Sequence, residues 1–422
     1  MSTTAAQEPL RWSELEALVL PEPDLVNGST SSQAILRLFG QTESGVRITF
    51  YRDRHAWCPY CQKVWLWLEL SRVPYRVKKV NMRCYGSKET WFLQKVRSGM
   101  LPVLDLDGRL IKESDVILLE LEKAFKPLGT MLNSSYAFRI RNLERLLFHS
   151  WCAWLCNPGL SEQREKQAKK QFQEVAYQVE AEMSPGPWID PATYIDGRIG
   201  PGSLDIIFIP YLERMNASLA YYKGYLLREE HLGIHRWFCS LERLKTYRGT
   251  QSDFHTHAHD LPPQMGGCWK SDSAGQREIA HQIDIGNGMG ERESSWIDAD
   301  LNDQAKIALG RVFKHRDSLL RVNPLGSSNF DQPLRCALTK LITGKLVQPT
   351  VGSAPGLRYL RDRISVPRDM PLLAARLLRQ SLEATASLDG SGQGKPIPLR
   401  NRLDQDPMSF QGNPRFSKRE RN

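Results

Sequence analysis

Apolar and polar positions change period repeatedly between residues 46 and 125, and each change marks an element. Residues 46–51 (VRITFY) alternate as a strand does, and 59–72 carry apolar residues at helical spacing from Pro59 onward. The pattern predicts a second strand over 75–80 and a short helix over 88–96. Residues 102–105 and 109–112 read as a hairpin turning at Asp107-Gly108, and 114–125 as a closing helix. The order β-α-β-α-β-β-α is a thioredoxin-like α/β arrangement, in which the loop after the first strand delivers residues to the positive end of the next helix.

Beyond a connection at 127–130 the spacing becomes helical over 134–155, 162–183, 204–223 and 234–247, which predicts an all-α second domain. Residues 184–202, rich in Pro and Gly, read as a loop, and 254–267 as the exit from that domain. Helical periodicity returns within 298–345 and 355–386, so a helical extension is expected. From Asp389 onward Gly, Ser, Pro and charge dominate, and too few apolar residues remain to offset the entropy of ordering the chain. The expected division is a leader over 1–45, a thioredoxin-like domain over 46–127, an all-helical domain over 131–265, an extension over 266–387 and a disordered basic tail over 388–422.

A chain of 422 residues can bury a core without disulfide staples, and its 8 cysteines lack the even spacing of a secreted scaffold, so reduced thiols are expected. No apolar stretch approaches the ~18–20 residues that cross a bilayer. The first 45 residues carry Glu8, Glu14, Glu16, Glu22 and Asp24, unlike the acid-poor transit peptides of organelles. The expectation is a cytoplasmic protein with no membrane partner. The net charge of +10 is spread over basic residues interleaved with acids, as around Glu165 and Asp362, and no nucleic-acid motif accompanies it. Nucleic-acid binding is therefore not the expected role.

The segment that carries chemistry is Trp57-Cys58-Pro59-Tyr60-Cys61, after a strand and opening a helix. A thiol at a helix start faces unpaired N–H groups and the positive dipole end, which can lower its pKa from ~8.5 to roughly 3.5–7.5. Pro59 suits the first helical position, where an N–H would have no intrahelical partner. Cys61, one turn on, can resolve a mixed disulfide formed at Cys58. A zinc site would need a second ligand pair, which this domain lacks, so no metal is expected; an inert buried pair is the other bland alternative.

The stretch Cys-Pro-Tyr-Cys-Gln-Lys-Val from Cys58, followed by Val73-Pro74-Tyr75, Lys88-Glu-Thr-Trp-Phe, Leu101-Pro102-Val103-Leu104 and Glu113-Ser114-Asp115-Val116-Ile117, resembles the cysteine-type glutathione transferases, in particular the dehydroascorbate reductase and omega-like branches, with a glutaredoxin-type Cys-Pro-Tyr-Cys motif. The resemblance covers about residues 46–250. It implies a glutathione transferase fold, glutathione as co-substrate and a thiol transferase chemistry through Cys58. It implies that Pro102 is the cis-proline, that Leu101 offers main-chain hydrogen bonds to the cysteinyl part of glutathione, that Glu113 and Ser114 hold the γ-glutamyl end and that Lys88 lies near the glycyl carboxylate. Trp57, Tyr60, Trp151 and Trp154 would border a second-substrate pocket, and a homodimer is compatible with it. The residues alone leave Glu113-Ser114 equally readable as a plain helix cap. Cys61 departs from the many single-cysteine members of this branch and opens a dithiol route.

Three further features were weighed. His255, His257 and His259 alternate, so an extended backbone would put the three rings on one side, near Asp260 and Cys268; surface or hydrogen-bonded histidines are the bland alternative to a metal site. Cys152 and Cys156 read as a buried helix face. In Gly202-Ser203-Leu204-Asp205, Ser203 is the expected cap. The function expected is a glutathione-dependent thiol oxidoreductase, dehydroascorbate reductase-like or deglutathionylating. Its alternatives are a glutathionyl-hydroquinone reductase and a non-catalytic binding or assembly protein.

Overall fold

The computed structural model describes residues 8–82, 85–183, 186–194, 197–295 and 299–390. Two short elements precede the thioredoxin-like unit: helix α1 (Trp12–Glu16) and strand β1 (Leu36–Arg37). Then come β2 (Ile48–Asp53), α2 (Pro59–Leu70), β3 (Tyr75–Val80), α3 (Thr90–Lys95), β4 (Val103–Leu106), β5 (Arg109–Lys112) and α4 (Ser114–Ala124). The sheet order is β1-β3-β2-β4-β5. β2 runs parallel to β3 and antiparallel to β4, with Tyr51 opposite Val103. The pleat turns Phe50 into the main core and Tyr51 to the other face, where it meets Phe92 and Val96 of the α3 side.

The leader is part of this unit. Arg37 on β1 donates to both oxygens of Glu69, which also accepts from the hydroxyls of Thr30 and Tyr75. Two residues of strand are too few for a period to register, so the sequence hid β1.

The helical unit comprises α5 (Ser135–Leu155), α6 (Glu162–Glu182), α7 (Ser203–Ser218), α8 (Leu227–Glu230), α9 (Leu232–Glu242), α10 (Lys245–Thr250), α11 (Phe254–Asp260) and α12 (Pro262–Met265). Every residue of α7 is buried, and Leu219–Lys223 continue it as a π-helix. α2 lies between the sheet and α7, which explains why Cys61 to Glu69 are buried without a solvent face.

Three expectations need correction. The expected loop over 184–202 contains a small hairpin, β6 (Pro191–Thr193) with β7 (Ile199–Pro201). The cap of α7 is Asp205, not Ser203: its carboxylate accepts from the N–H groups of Ile189, Asp190 and Gly202 and from Trp237 Nε1. Ser203 instead donates to Glu122 of α4 over 2.7 Å. The expected exit loop at 254–267 is helical, because Asp253 accepts from Thr256 N over 2.9 Å and starts α11.

Past α12, helix α13 (Ala274–Asp284) places Ala280 and Ile283 in the main core. A separate core forms from α14 (Leu301–Lys314), α15 (Arg316–Val322), α16 (Ser327–Thr343), α17 (Ala354–Arg363) and α18 (Leu372–Ala386), joined by Leu15 of α1. The part of the expected disordered tail over 391–422 lies outside the described residues, whereas Asp389 accepts from the N–H groups of Gly352 and Ala354. No helix among the described residues is long and apolar enough to cross a membrane.

Candidate active site

Cys58 stands at the N-cap of α2 with Pro59 at the first helical position, where the missing N–H leaves nothing unsatisfied. The loop that leads to it is fixed from β2: Asp53 Oδ2 accepts the N–H of Trp57 at 2.6 Å and of Cys58 at 3.1 Å. The Cys58 sulfur accepts no capping hydrogen bond from the helix start. Its close partner is Cys61, whose thiol is fully buried and pushed well above its ordinary pKa by burial and then by its hydrogen bond to Cys58. Both influences favour the protonated form of Cys61.

Sheet register brings the other expected residues to the same end of the sheet. Val103 pairs with Tyr51, so Leu101 and Pro102 lie level with Asp53 at the end of β2, and the Leu101-Pro102 peptide is cis. Lys112 pairs with Val103, so Glu113 and Ser114 follow at the same level. Glu113 has φ of 65°, a left-handed conformation that a non-glycine residue adopts rarely, and it leads an exposed carboxylate into the buried Ser114 at the start of α4. Lys88 donates Nζ to Asn81 O over 2.8 Å; burial lowers its pKa, while Cys61 and Cys58 pull the other way, which places it within electrostatic reach of both sulfurs.

The helical unit closes over the loop through residues the sequence did not point to. Arg214 of α7 donates to Trp57 O, to Gln62 Oε1 at 3.2 Å and to Pro210 O, with its guanidinium 4.3 Å from the Trp57 ring centroid. Gln62 donates to Glu213, which lies 3.4 Å from His257 Nε2, and the His257 ring meets Trp57 edge-on. The three histidines do not share a side. On a helix the His255 and His259 rings lie 4.7 Å apart, tilted by 53°, while His257 turns toward Glu213, because α11 is helical rather than extended.

Of the four aromatics expected at a second pocket, Trp57 is buried beneath Arg214 and Tyr60 is 41% exposed. Tyr60 meets Tyr211, Tyr211 meets Phe148, and only then comes Trp151, whose Nε1 donates to Ser218. Trp154 is farther inside, bonded to Glu165 and against Phe172 and Tyr225. Both tryptophans are built into the helical core, and Tyr211 and Phe148 stand between Tyr60 and Trp151. Lys63, buried 5.5 Å from the Tyr60 ring, joins Asp115 at 3.0 Å. Although burial pushes the Asp115 carboxyl up, Lys63 and Arg141 hold it down to about 2.

Among the described residues one group of metal-type donors converges: a carboxylate oxygen of Asp53 and the sulfurs of Cys58 and Cys61 lie within 4.8 Å of one another. Three donors fall one short of a closed tetrahedral site, and two of them are the thiols of the redox pair. The chemistry this arrangement fits is sulfur exchange at Cys58.

Residues 57–124 match the family model described as glutathione S-transferase, N-terminal domain. The chain is 25% identical over 181 residues to a probable cytosolic glutathione S-transferase DHAR1 of Oryza sativa subsp. japonica, which spans 43% of this chain and 77% of that one. It is 22% identical over 195 residues to glutathione S-transferase DHAR2 of Arabidopsis thaliana, 46% of this chain and 84% of that one. A solved dehydroascorbate reductase of Chlamydomonas reinhardtii superposes with a TM-score of 0.39 at 20% identity, over 49% of this chain and 93% of the other.

Proposed function

We propose that this chain, whose residues 57–124 match a glutathione S-transferase N-terminal domain, is a glutathione-dependent thiol oxidoreductase in which Cys58 is the attacking sulfur. The observation that carries the reading is a pair of thiols one helical turn apart, Cys58 at the N-cap of α2 and Cys61 inside it, at the sheet end that also holds cis-Pro102 and Ser114. Burial and then the hydrogen bond to Cys58 push the Cys61 thiol well up, which disfavours Cys61 as the attacking sulfur. The relatives named glutathione S-transferase DHAR1 and DHAR2 support the dependence on glutathione.

Glutathione would lie with its cysteinyl part against the Leu101 main chain, its γ-glutamyl end at Glu113 and Ser114 and its glycyl carboxylate toward Lys88. With a glutathionylated thiol, the Cys58 thiolate attacks the glutathione sulfur and the substrate sulfur leaves with the bonding pair. With a dicarbonyl such as dehydroascorbate, the sulfur adds to a carbonyl carbon, a first glutathione thiolate attacks that sulfur, and the C–S pair leaves with the reduced product. Both routes end in glutathionylated Cys58. A further glutathione thiolate attacks the glutathione sulfur and releases oxidised glutathione, or Cys61 attacks Cys58 and expels glutathione. With a glutathionylated thiol, the proton of one glutathione thiol ends on the released thiol; with dehydroascorbate, the protons of two end on the product. A Cys58–Cys61 disulfide left by the second release is reduced by two glutathione thiols, which leave as oxidised glutathione.

The test is reduction of a glutathione mixed disulfide with varied glutathione. Ping-pong kinetics and loss of turnover in Cys58→Ser are expected. Turnover that survives the substitution would remove Cys58 from its role. Retention on glutathione-agarose without turnover in the unaltered chain would instead mark a binding protein.

A further inference from the structure

A cavity of about 380 Å³ lies where the extension meets the loop that carries Cys58. Neither cysteine, nor Leu101, nor Ser114 lines it, so it is a second site. Its walls come from α14, α15, α17 and the segment before α18, and its one contribution from the thioredoxin-like unit is Arg54 and His55, which follow β2 directly. The volume falls within the range of pockets that hold small organic molecules, roughly 300–1,000 Å³.

The chemistry of the lining is one-sided. Val312, Leu319, Val322, Leu360, Ile364 and Met370 form an apolar body. Around it stand four guanidinium groups, of Arg54, Arg311, Arg363 and Arg368, against a single carboxylate, Asp369, which is already engaged by Arg368 at 2.7 and 2.8 Å. Two of the arginines have donors to spare among the described residues. Arg54 uses one Nη on Glu89 over 3.1 Å and makes no hydrogen bond with the other. Arg311 uses Nε on Asp369 O over 2.6 Å and neither Nη. His315, at the mouth, titrates low because of burial and then of Arg311, which reports a positive local field. An anionic head on an apolar body satisfies both halves of this lining.

We propose that this cavity is a binding site for a free organic anion, a carboxylate, sulfonate or phosphate head on an apolar body, with the head at Arg54 and Arg311 and the body against Val312, Val322 and Leu360. The site exists only because the extension folds back on the Cys58 loop, which gives the extension a ligand-binding role. It stands independently of the reaction at Cys58.

Calorimetric titration of the full chain with decanoate, and with decan-1-ol as its uncharged counterpart, tests this. One saturable decanoate site is expected, at least about tenfold tighter than decan-1-ol, the difference a charge-assisted contact supplies. Arg311→Gln and Arg54→Gln should each weaken decanoate about tenfold and leave decan-1-ol unchanged. Val322→Trp should fill the cavity and remove both. Cys58→Ser should bind decanoate as the unaltered chain does, so that a failed assignment of the nucleophile leaves this result standing. Absence of decanoate binding, equal affinity for acid and alcohol, or binding indifferent to both Arg311→Gln and Val322→Trp in variants that melt like the unaltered chain, would overturn the site.

Discussion

Cys58 donates its backbone N–H to Asp53 Oδ2 at 3.1 Å, so the residue that ends the central strand holds the residue that opens the helix. Trp57 shares that oxygen, and the second oxygen of Asp53 is buried without a hydrogen bond among the described residues. The carboxylate therefore does two things: it sets the loop geometry and it places negative charge against both sulfurs.

These two roles separate in Asp53→Asn, which keeps an acceptor for the amides and removes the charge. The Asp53 charge is one of the influences that raise the Cys61 thiol, after burial and Cys58 itself. With the charge gone, Cys61 should ionise at lower pH. The rate at which Cys61 expels glutathione from glutathionylated Cys58 is then expected to reach its plateau at lower pH than in the unaltered chain. A profile that stays in place would show that Asp53 exerts no charge on the pair. Asp53→Ala, which orphans two buried amides, should cost about 1–3 kcal/mol in urea unfolding.

The buried position of Cys61, inside α2 rather than at its start, makes a separate prediction. Cys61→Ser keeps a buried hydroxyl donor one turn from Cys58, and the monothiol route with a second glutathione does not need the Cys61 sulfur. Turnover on a glutathione mixed disulfide should stay within roughly tenfold of the unaltered chain, whereas Cys58→Ser should lose at least about a thousandfold. A loss in Cys61→Ser as deep as that in Cys58→Ser would make the dithiol route obligatory.

The sequence made the chemistry-bearing half of this site legible and concealed its frame. Tyr75–Val77 alternate, Asp107-Gly108 mark a turn, and the Cys-Pro-Tyr-Cys and Glu113-Ser114 segments are local, so strands, turn and thiol pair could be placed from neighbours in sequence. Arg214, Glu213 and His257 act on Trp57 and Gln62 from about 150 residues or more away in the chain, and nothing in their local spacing distinguishes them from core residues of α7 and α11. The alternation of His255, His257 and His259 pointed to an extended segment because the capping power of Asp253 was overlooked. Trp151 and Trp154 could be assigned to a helix but not to a face, since helix α5 is buried on more than one side.

Asp253 also fastens the extension to the rest of the molecule. It caps α11 and pairs with Arg379 of α18, and both side chains are buried. Burial pushes the Asp253 carboxyl up, but Arg379 and then His255 prevail and hold it down to about 2. A carboxyl depressed on folding adds stability that is present above its unfolded value, about 3.9, and is lost as pH falls through the folded value. The stability advantage of the unaltered chain over Asp253→Asn should therefore be full above about pH 4 and shrink toward pH 2. At neutral pH, Arg379→Ala leaves that carboxylate buried without its partner and should cost about 3–5 kcal/mol in urea unfolding. A cost that stays the same down to pH 2 would show that the pair carries no charge in the folded protein.

Arg214 is the helical unit's grip on the active-site loop. Its guanidinium bonds Trp57 O and Gln62 Oε1 and lies flat enough on the indole to hold Trp57 by its face, 4.3 Å from the ring centroid. It touches neither Glu113 nor Ser114, where glutathione is expected, so it acts by positioning Cys58 rather than by binding the tripeptide. A loop released by Arg214→Met should lower kcat by about tenfold to a hundredfold, the scale of a small misplacement at a reacting centre, with little change in the KM for glutathione. Arg214→Lys keeps a cation but not the planar fork that reaches three carbonyl oxygens and a ring at once, so it should recover only part of the loss. Steady-state kinetics with glutathione varied at fixed mixed disulfide separates the two quantities. A raised KM with kcat intact would mean that Arg214 serves the glutathione site, and the positioning role would fall.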